Sequence, residues 1–167
     1  MGTMANWPRD DAVFPLCAAV VTQFEGFRAH PYRDIVGVPT IGYGVIQYPG
    51  GAMVRMSDSP ITQAQATQFL IHQLGLKSRA IAPMFQARVT AHQAAAMLSL
   101  VYNIGTGAFG RSTLLRKVNA GDSAGAADQF LVWDKGHIDG QAVAIAGLLA
   151  RRQAERALFL TPDHRAA

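Results

Sequence analysis

Cys17 is the only cysteine in 167 residues, so no disulfide can close within the chain and no cysteine-based zinc site can form. The histidines, His30, His72, His92, His137 and His164, have no ligand-like spacing, so no metal site is expected. Long apolar runs are missing as well. The run "VFPLCAAVV" at 13–21 is far shorter than the ~20 residues that cross a bilayer. The "PRDD" before it lacks the positive start of a signal peptide. No transmembrane segment is therefore expected, and the chain should be soluble where it is made. Repeats and low-complexity tracts are absent. The basic stretch "LLRK" at 114–117 has few aromatics around it and no nucleic-acid motif accompanies it, so nucleic acid is not an expected partner.

What is present is the composition of a folded globule, half apolar and 16% charged. The length suits one domain able to bury roughly two-thirds of its unfolded surface. A net charge of +4 and a pI near 9.6 suit a polyanion: nucleic acid, anionic lipid or an acidic wall polymer. They do not choose among these.

Along the chain, Asp10 or Asp11 is placed to cap a first helix running to Phe24 or Glu25, with Gly26 as its stop. From Tyr32 to Tyr48 glycines interrupt β-branched and aromatic residues, which reads as short twisted strands. Thr62 with Gln65 and Thr90 with Gln93 each form a capping box opening a helix. The first of these helices is expected to end near Pro83. The second, "AAAMLSLVYNIG", is apolar all round and so central. Ser112 caps a short helix, and another covers 123–133. A last helix is expected from Gln141 to Pro162, with Glu155 pairing Arg151 or Arg152. The fold class is α+β with helix dominant. The expected layout is a small β lobe at about 28–60, a linking helix at 61–82, and a helical lobe at 83–162 that includes the N-terminal helix. A cleft between the lobes is where a ligand would sit.

Within "QFEGFRAHPYRDIVGVPTIGYG" (23–44) two carboxylates and a threonine draw attention. Glu25 falls in the last turn of its helix, where the partial negative charge of the helix end repels a carboxylate. An acid placed against local stability is a setting that general acids use. It is also, and taken alone more simply, the look of a solvated residue at a frayed end, and "YRD" before "IVG" is ordinary turn chemistry for Asp34. If 40–46 is extended, Ile41, Tyr43 and Val45 share one face, while Thr40, Gly42 and Gly44 leave the other stripped of bulk for a ligand. Two carboxyl groups bracketing a cleft suit glycosidic cleavage, one protonating the leaving oxygen and the other orienting water or stabilising the cationic centre.

Glu25, Asp34 and Thr40 followed by "IGYG", then "NIGTGAFGRSTLLRKVNAGD" at 103–122 and "GLLARRQAERALFL" at 147–160, resemble the phage-type lysozymes of glycoside hydrolase family 24, in order and over most of the chain. The resemblance implies a lysozyme-like fold and cleavage of the β-1,4 bond between N-acetylmuramic acid and N-acetylglucosamine in peptidoglycan, with inversion and with no metal or cofactor. It makes Glu25 the general acid and gives Asp34 and Thr40 the attacking water. Arg151 becomes the ion-pair partner of the acid, with Arg152 as runner-up. It places Ile46, Tyr102 and Ser112 along the sugar. Taken by itself, Tyr102 reads as a core aromatic. Many relatives carry histidine after "GYG", where this chain has Val45. The implied setting is a monomeric phage or prophage endolysin, held in the host cytoplasm until a holin or another route admits it to the periplasm or wall. A lytic transglycosylase and a non-catalytic wall-binding module remain alternatives. Contact of the arginine-rich final helix with anionic membrane is a further expectation.

Overall fold

The structure, a computed structural model, describes residues 4–138 and 141–163. Its first helix, α1 (Asp10–Glu25), buries Val13, Cys17 and Val21 at four-residue spacing, one stripe of the helix. Arg9, not an aspartate, is the N-cap; Asp10 and Asp11 lie in the first turn, where the helix dipole favours acid. Asp10 is instead tied to the far end of another helix. Its Oδ1 accepts from Ser78 Oγ, which in turn accepts from Trp7 Nε1, each at 2.9 Å.

Strands β1 (Arg28–Arg33) and β2 (Pro39–Gly42) form an antiparallel hairpin, irregular between Arg28 and Tyr32. Beyond Gly42 the chain does not stay extended. Gly42 and Gly44 take φ of +64° and +83°, and Ile41 and Val45 bond each other's backbone in both directions. Ile41, Tyr43 and Val45 are buried as the alternation suggested, but a tight turn puts them there. Gly42 is therefore not on an open face: a Cβ there would lie 3.1 Å from that of Ala66.

Both capping boxes form, Thr62 opening α2 (Gln63–Ile81) and Thr90 opening α3 (Ala91–Ile104). In each, the threonine oxygen accepts an orphan amide at the helix start and the glutamine closes the reciprocal bond. Helix α2 packs on β2 as well as on α1, α3 and α4 (Thr106–Gly110), so it ties the hairpin to the helices. Helix α3 is buried without a break from Ala94 to Val101 and packs against α1 and α7 (Ala146–Phe159). Helices α5 (Thr113–Asn119) and α6 (Ser123–Gln129) follow, the latter passing into a 3-10 turn at Phe130–Trp133.

The last helix does not begin at Gln141. Strands β3 (Lys135–Ile138) and β4 (Gln141–Ala144) form a second antiparallel hairpin, and α7 starts five residues after Gln141. Ile145 is the reason the helix waits: its extended backbone bonds Asp134 across the base of the hairpin and only then accepts from Leu148 and Leu149. Among the described residues no helix is long and apolar enough to cross a membrane. Arg151 and Arg152 are buried and Arg156 pairs with Asp128 at 2.8 Å, so the charge of α7 is used within the fold.

Candidate active site

The end of α1, the hairpin and α3 enclose a cavity of about 200 Å³ lined by Glu25, Tyr32, Asp34, Thr40, Gly44, Ile46, Tyr102 and Asn103. Of the residues singled out in the sequence, Glu25, Asp34, Thr40, Ile46 and Tyr102 thus share one space. Ser112 does not line it. Its side chain accepts from Leu115 N at 3.1 Å, capping α5.

Glu25 needs a counter-charge at the negative end of α1, and it has one. Arg151 Nη1 donates to Glu25 Oε1 at 2.7 Å. The guanidinium is held at its other corners, Nη2 donating to the Ser99 carbonyl and Nε to Glu155 Oε1, both at 3.2 Å. Glu155 is wholly buried and also accepts from Ser99 Oγ at 2.7 Å. Burial pushes its carboxyl above the ordinary range, and the two neighbouring arginines and Ser99 oppose this. Its other oxygen lies 3.1 Å from Arg152 Nε, near enough for ion pairing but off the hydrogen-bond axis. Arg152, fully buried and drawn down to about 10 by that burial, donates to Asn103 Oδ1 at 2.8 Å. Both arginines proposed for the acid are therefore in one network, and Arg151 makes the direct bond.

On the other side of the cavity, Asp34 and Thr40 are built around one residue. Asp34 Oδ1 accepts from the amides of Val36 and Val38 at 3.0 and 2.8 Å, while Thr40 Oγ1 donates to the Val38 carbonyl at 2.9 Å. The turn chemistry and the site chemistry of Asp34 are thus one arrangement. Oδ1 closes the turn, and Oδ2 makes no hydrogen bond among the described residues. With the Thr40 proton spent on Val38, its oxygen is left as an acceptor.

Gly44 decides how close the backbone comes to the acid. A Cβ there would sit 2.9 Å from Glu25 Oε2, and φ is +83°. Gly44→Ala is expected to cost about 1–2 kcal/mol for the left-handed backbone and to lower activity about 100-fold by moving the carboxylate. Urea unfolding and wall-clearing rates would check this. An unaltered rate would mean that Glu25 tolerates displacement.

Tyr102 is more than a core aromatic: its hydroxyl donates to the Tyr43 carbonyl at 2.8 Å, and its ring lines the cavity. Burial raises its phenol, with Glu25 adding to the effect. Sequence reasoning passed over Tyr32 and Asn103. Tyr32 carries the Arg28 guanidinium 4.4 Å above its ring and is also raised by burial and by Glu25. The available signal was position: Tyr32 lies two residues before Asp34, and Asn103 is the polar residue at the end of an apolar helix. Val45 is buried, so the position where relatives carry histidine belongs here to the core. Among the described residues no cluster of three potential metal ligands occurs.

Known proteins match this chain over most of its length. The phage lysozyme family profile matches residues 22–155. The endolysin of Acyrthosiphon pisum secondary endosymbiont phage 1 is 37% identical over 140 residues, 84% of this chain and 92% of its own. Among solved structures, the endolysin from Escherichia coli O157:H7 phage FAHEc1 superposes with a TM-score of 0.81 at 33% identity, covering 87% of this chain and 90% of that one. The muramidase domain of SpmX from Asticaccaulis excentricus gives 0.76 at 31% identity, covering 87% and 95%. With most of its length matched in both sequence and fold, the chain belongs to the phage lysozyme family.

Proposed function

We propose that this protein is a peptidoglycan hydrolase of the muramidase type, a phage or prophage endolysin cutting between N-acetylmuramic acid and N-acetylglucosamine. The observation that carries the reading is the opposed pair across one cavity: Glu25 held by Arg151 on one side, Asp34 and Thr40 held by Val38 on the other. With Oε1 occupied by Arg151, Oε2 is the oxygen left to carry the proton. That proton passes to the glycosidic oxygen as the C1–O bond breaks. A water donating to Asp34 Oδ2 and Thr40 Oγ1 presents its lone pair to C1 from the opposite face. Its proton goes to Asp34, and the configuration inverts. Arg151 steadies the glutamate that forms when the proton leaves. Ile46 and Tyr102 supply apolar surface for the sugars. The basic chain suits an anionic wall, and release from the host cytoplasm is the step that admits it to this substrate.

The test is mass spectrometry of fragments released from purified peptidoglycan. Reducing muramic acid ends are the expected product. Fragments lighter by one water, with anhydromuramic ends, would make the enzyme a transglycosylase and leave Asp34 and Thr40 without their task. No fragments from a protein that binds wall would make it a binding module.

A further inference from the structure

A second, smaller cavity of about 130 Å³ adjoins the first and shares Gly44, Ile46 and Tyr102 with it; Val45, Gln73 and Lys77 complete its lining. Gln73 and Lys77 stand four residues apart on α2, so their side chains leave the helix on one face. That face meets the turn that follows β2. Gln73 is spent on this turn, its Nε2 donating to the Gln47 carbonyl at 3.2 Å. Lys77 is not spent. It is half-buried, and among the described residues its ammonium has neither a hydrogen bond nor a carboxylate partner. Its one polar relationship is with the Tyr102 ring, 5.7 Å from Nζ to the centroid, a distance at which a cation is attracted to an aromatic face.

A cation taken partly out of water beside a cleft, with no counter-ion, gains most from a ligand that brings one. Burial holds Lys77 below the usual lysine range, which is what an unanswered charge does. The cavity walls offer glycine, valine, isoleucine, an amide and a phenol ring, so the missing anion has to arrive with the substrate. The sugars of intact peptidoglycan are uncharged where the peptide is attached, because the lactyl carboxyl is then in amide linkage. Free carboxylates belong to the peptide stems.

We infer that Lys77 and the cavity around it form a subsite for a carboxylate of the peptide stem, making Lys77 a specificity-determining residue beside the cleaved bond. The inference rests on the muramidase reading only for the identity of the polymer. Binding of a charged stem can be read without cleavage.

The experiment uses the full-length protein with native peptidoglycan and with peptidoglycan whose carboxyls have been converted to amides by carbodiimide and ammonia. Lys77→Met keeps the length of the stem and removes the charge. It is expected to lower kcat/KM and co-sedimentation affinity about tenfold on native wall, the worth of one charge-assisted hydrogen bond. On amidated wall it should stay within about twofold of wild type, since that bond has no partner there. Lys77→Arg should retain most of the native preference. Lys117→Met makes the same change in net charge on α5, outside both cavities, and should not discriminate between the substrates. An equal loss on both substrates, or none on either, overturns the subsite. If wild type binds native over amidated wall through Lys77 yet releases no reducing ends, the muramidase reading fails and the carboxylate subsite stands.

Discussion

Glu25→Gln leaves the protein folded and takes wall lysis down roughly 10³-fold, the range in which removal of a general acid usually falls. The fold survives because the substitution keeps the one contact that matters to it. A glutamine oxygen can still accept from Arg151 Nη1, and Arg151 retains its bonds to Ser99 and Glu155. Glu25 is also partly exposed, with 22% of its side chain accessible, and the buried Arg151 opposite it keeps Glu155 as a counter-charge, so loss of the Glu25 charge strands no ion. Stability should stay within about 1 kcal/mol of wild type. What is lost is the transferable proton, since an amide cannot protonate the glycosidic oxygen at neutral pH. Turbidity clearing of permeabilised cells together with urea unfolding separates the two effects. Lysis near the wild-type rate in a folded Glu25→Gln protein would move the acid elsewhere in the cavity.

The parts of this molecule that were legible in the sequence are those where local chemistry and burial agree. Thr62 with Gln65 and Thr90 with Gln93 announced their helices because a capping box is satisfied within four residues. The continuous apolar run of α3 announced its own burial. The second hairpin was missed because "AVAIAGLLA" carries an apolar signal that a strand and a helix share. The Asp139-Gly140 pair, of a kind common between paired strands, was the clue passed over. In the site, Glu25, Asp34 and Thr40 could be named from their order and likeness, but not how each is held. That Asp34 and Thr40 both lean on Val38 depends on a hairpin register. That Gly44 presses on Glu25 depends on a turn where alternation suggested a strand. No local pattern links Lys77 to Tyr102; helix packing alone brings them together.

Arg151→Met is expected to cost more than any other single change proposed for this protein, because it damages stability and catalysis together. The side chain is 4% exposed and is engaged by Glu25, Glu155 and Ser99. Methionine fills much of the space yet answers none of them. Glu155, wholly buried, keeps the Ser99 hydroxyl but, as counter-charge, only the off-axis approach of Arg152. Removing one partner of a buried pair costs about 3 kcal/mol or more, a large share of the roughly 5–15 kcal/mol that a domain of this kind holds. The loss should depend on pH in a definite direction. Burial already raises the Glu155 carboxyl above its ordinary 4.5, and without Arg151 that rise is less opposed. A carboxyl raised in the folded state contributes its stability below the unfolded value and loses it as pH climbs through the folded value. The gap between wild type and Arg151→Met should therefore be widest at neutral pH and narrow toward pH 4, where Glu155 takes up a proton and no longer needs a cation. Arg151→Lys separates charge from geometry. A lysine can answer one carboxylate as a point charge but cannot hold Glu25, Glu155 and the Ser99 carbonyl at three corners at once. It should recover part of the stability and little of the lysis. Urea unfolding of the three proteins at pH 4 and pH 7, with clearing rates at pH 7, tests each step. A lysine variant as active as wild type would mean that Glu25 needs only a nearby positive charge, and a gap unchanged between the two pH values would mean that Glu155 is not the group left stranded.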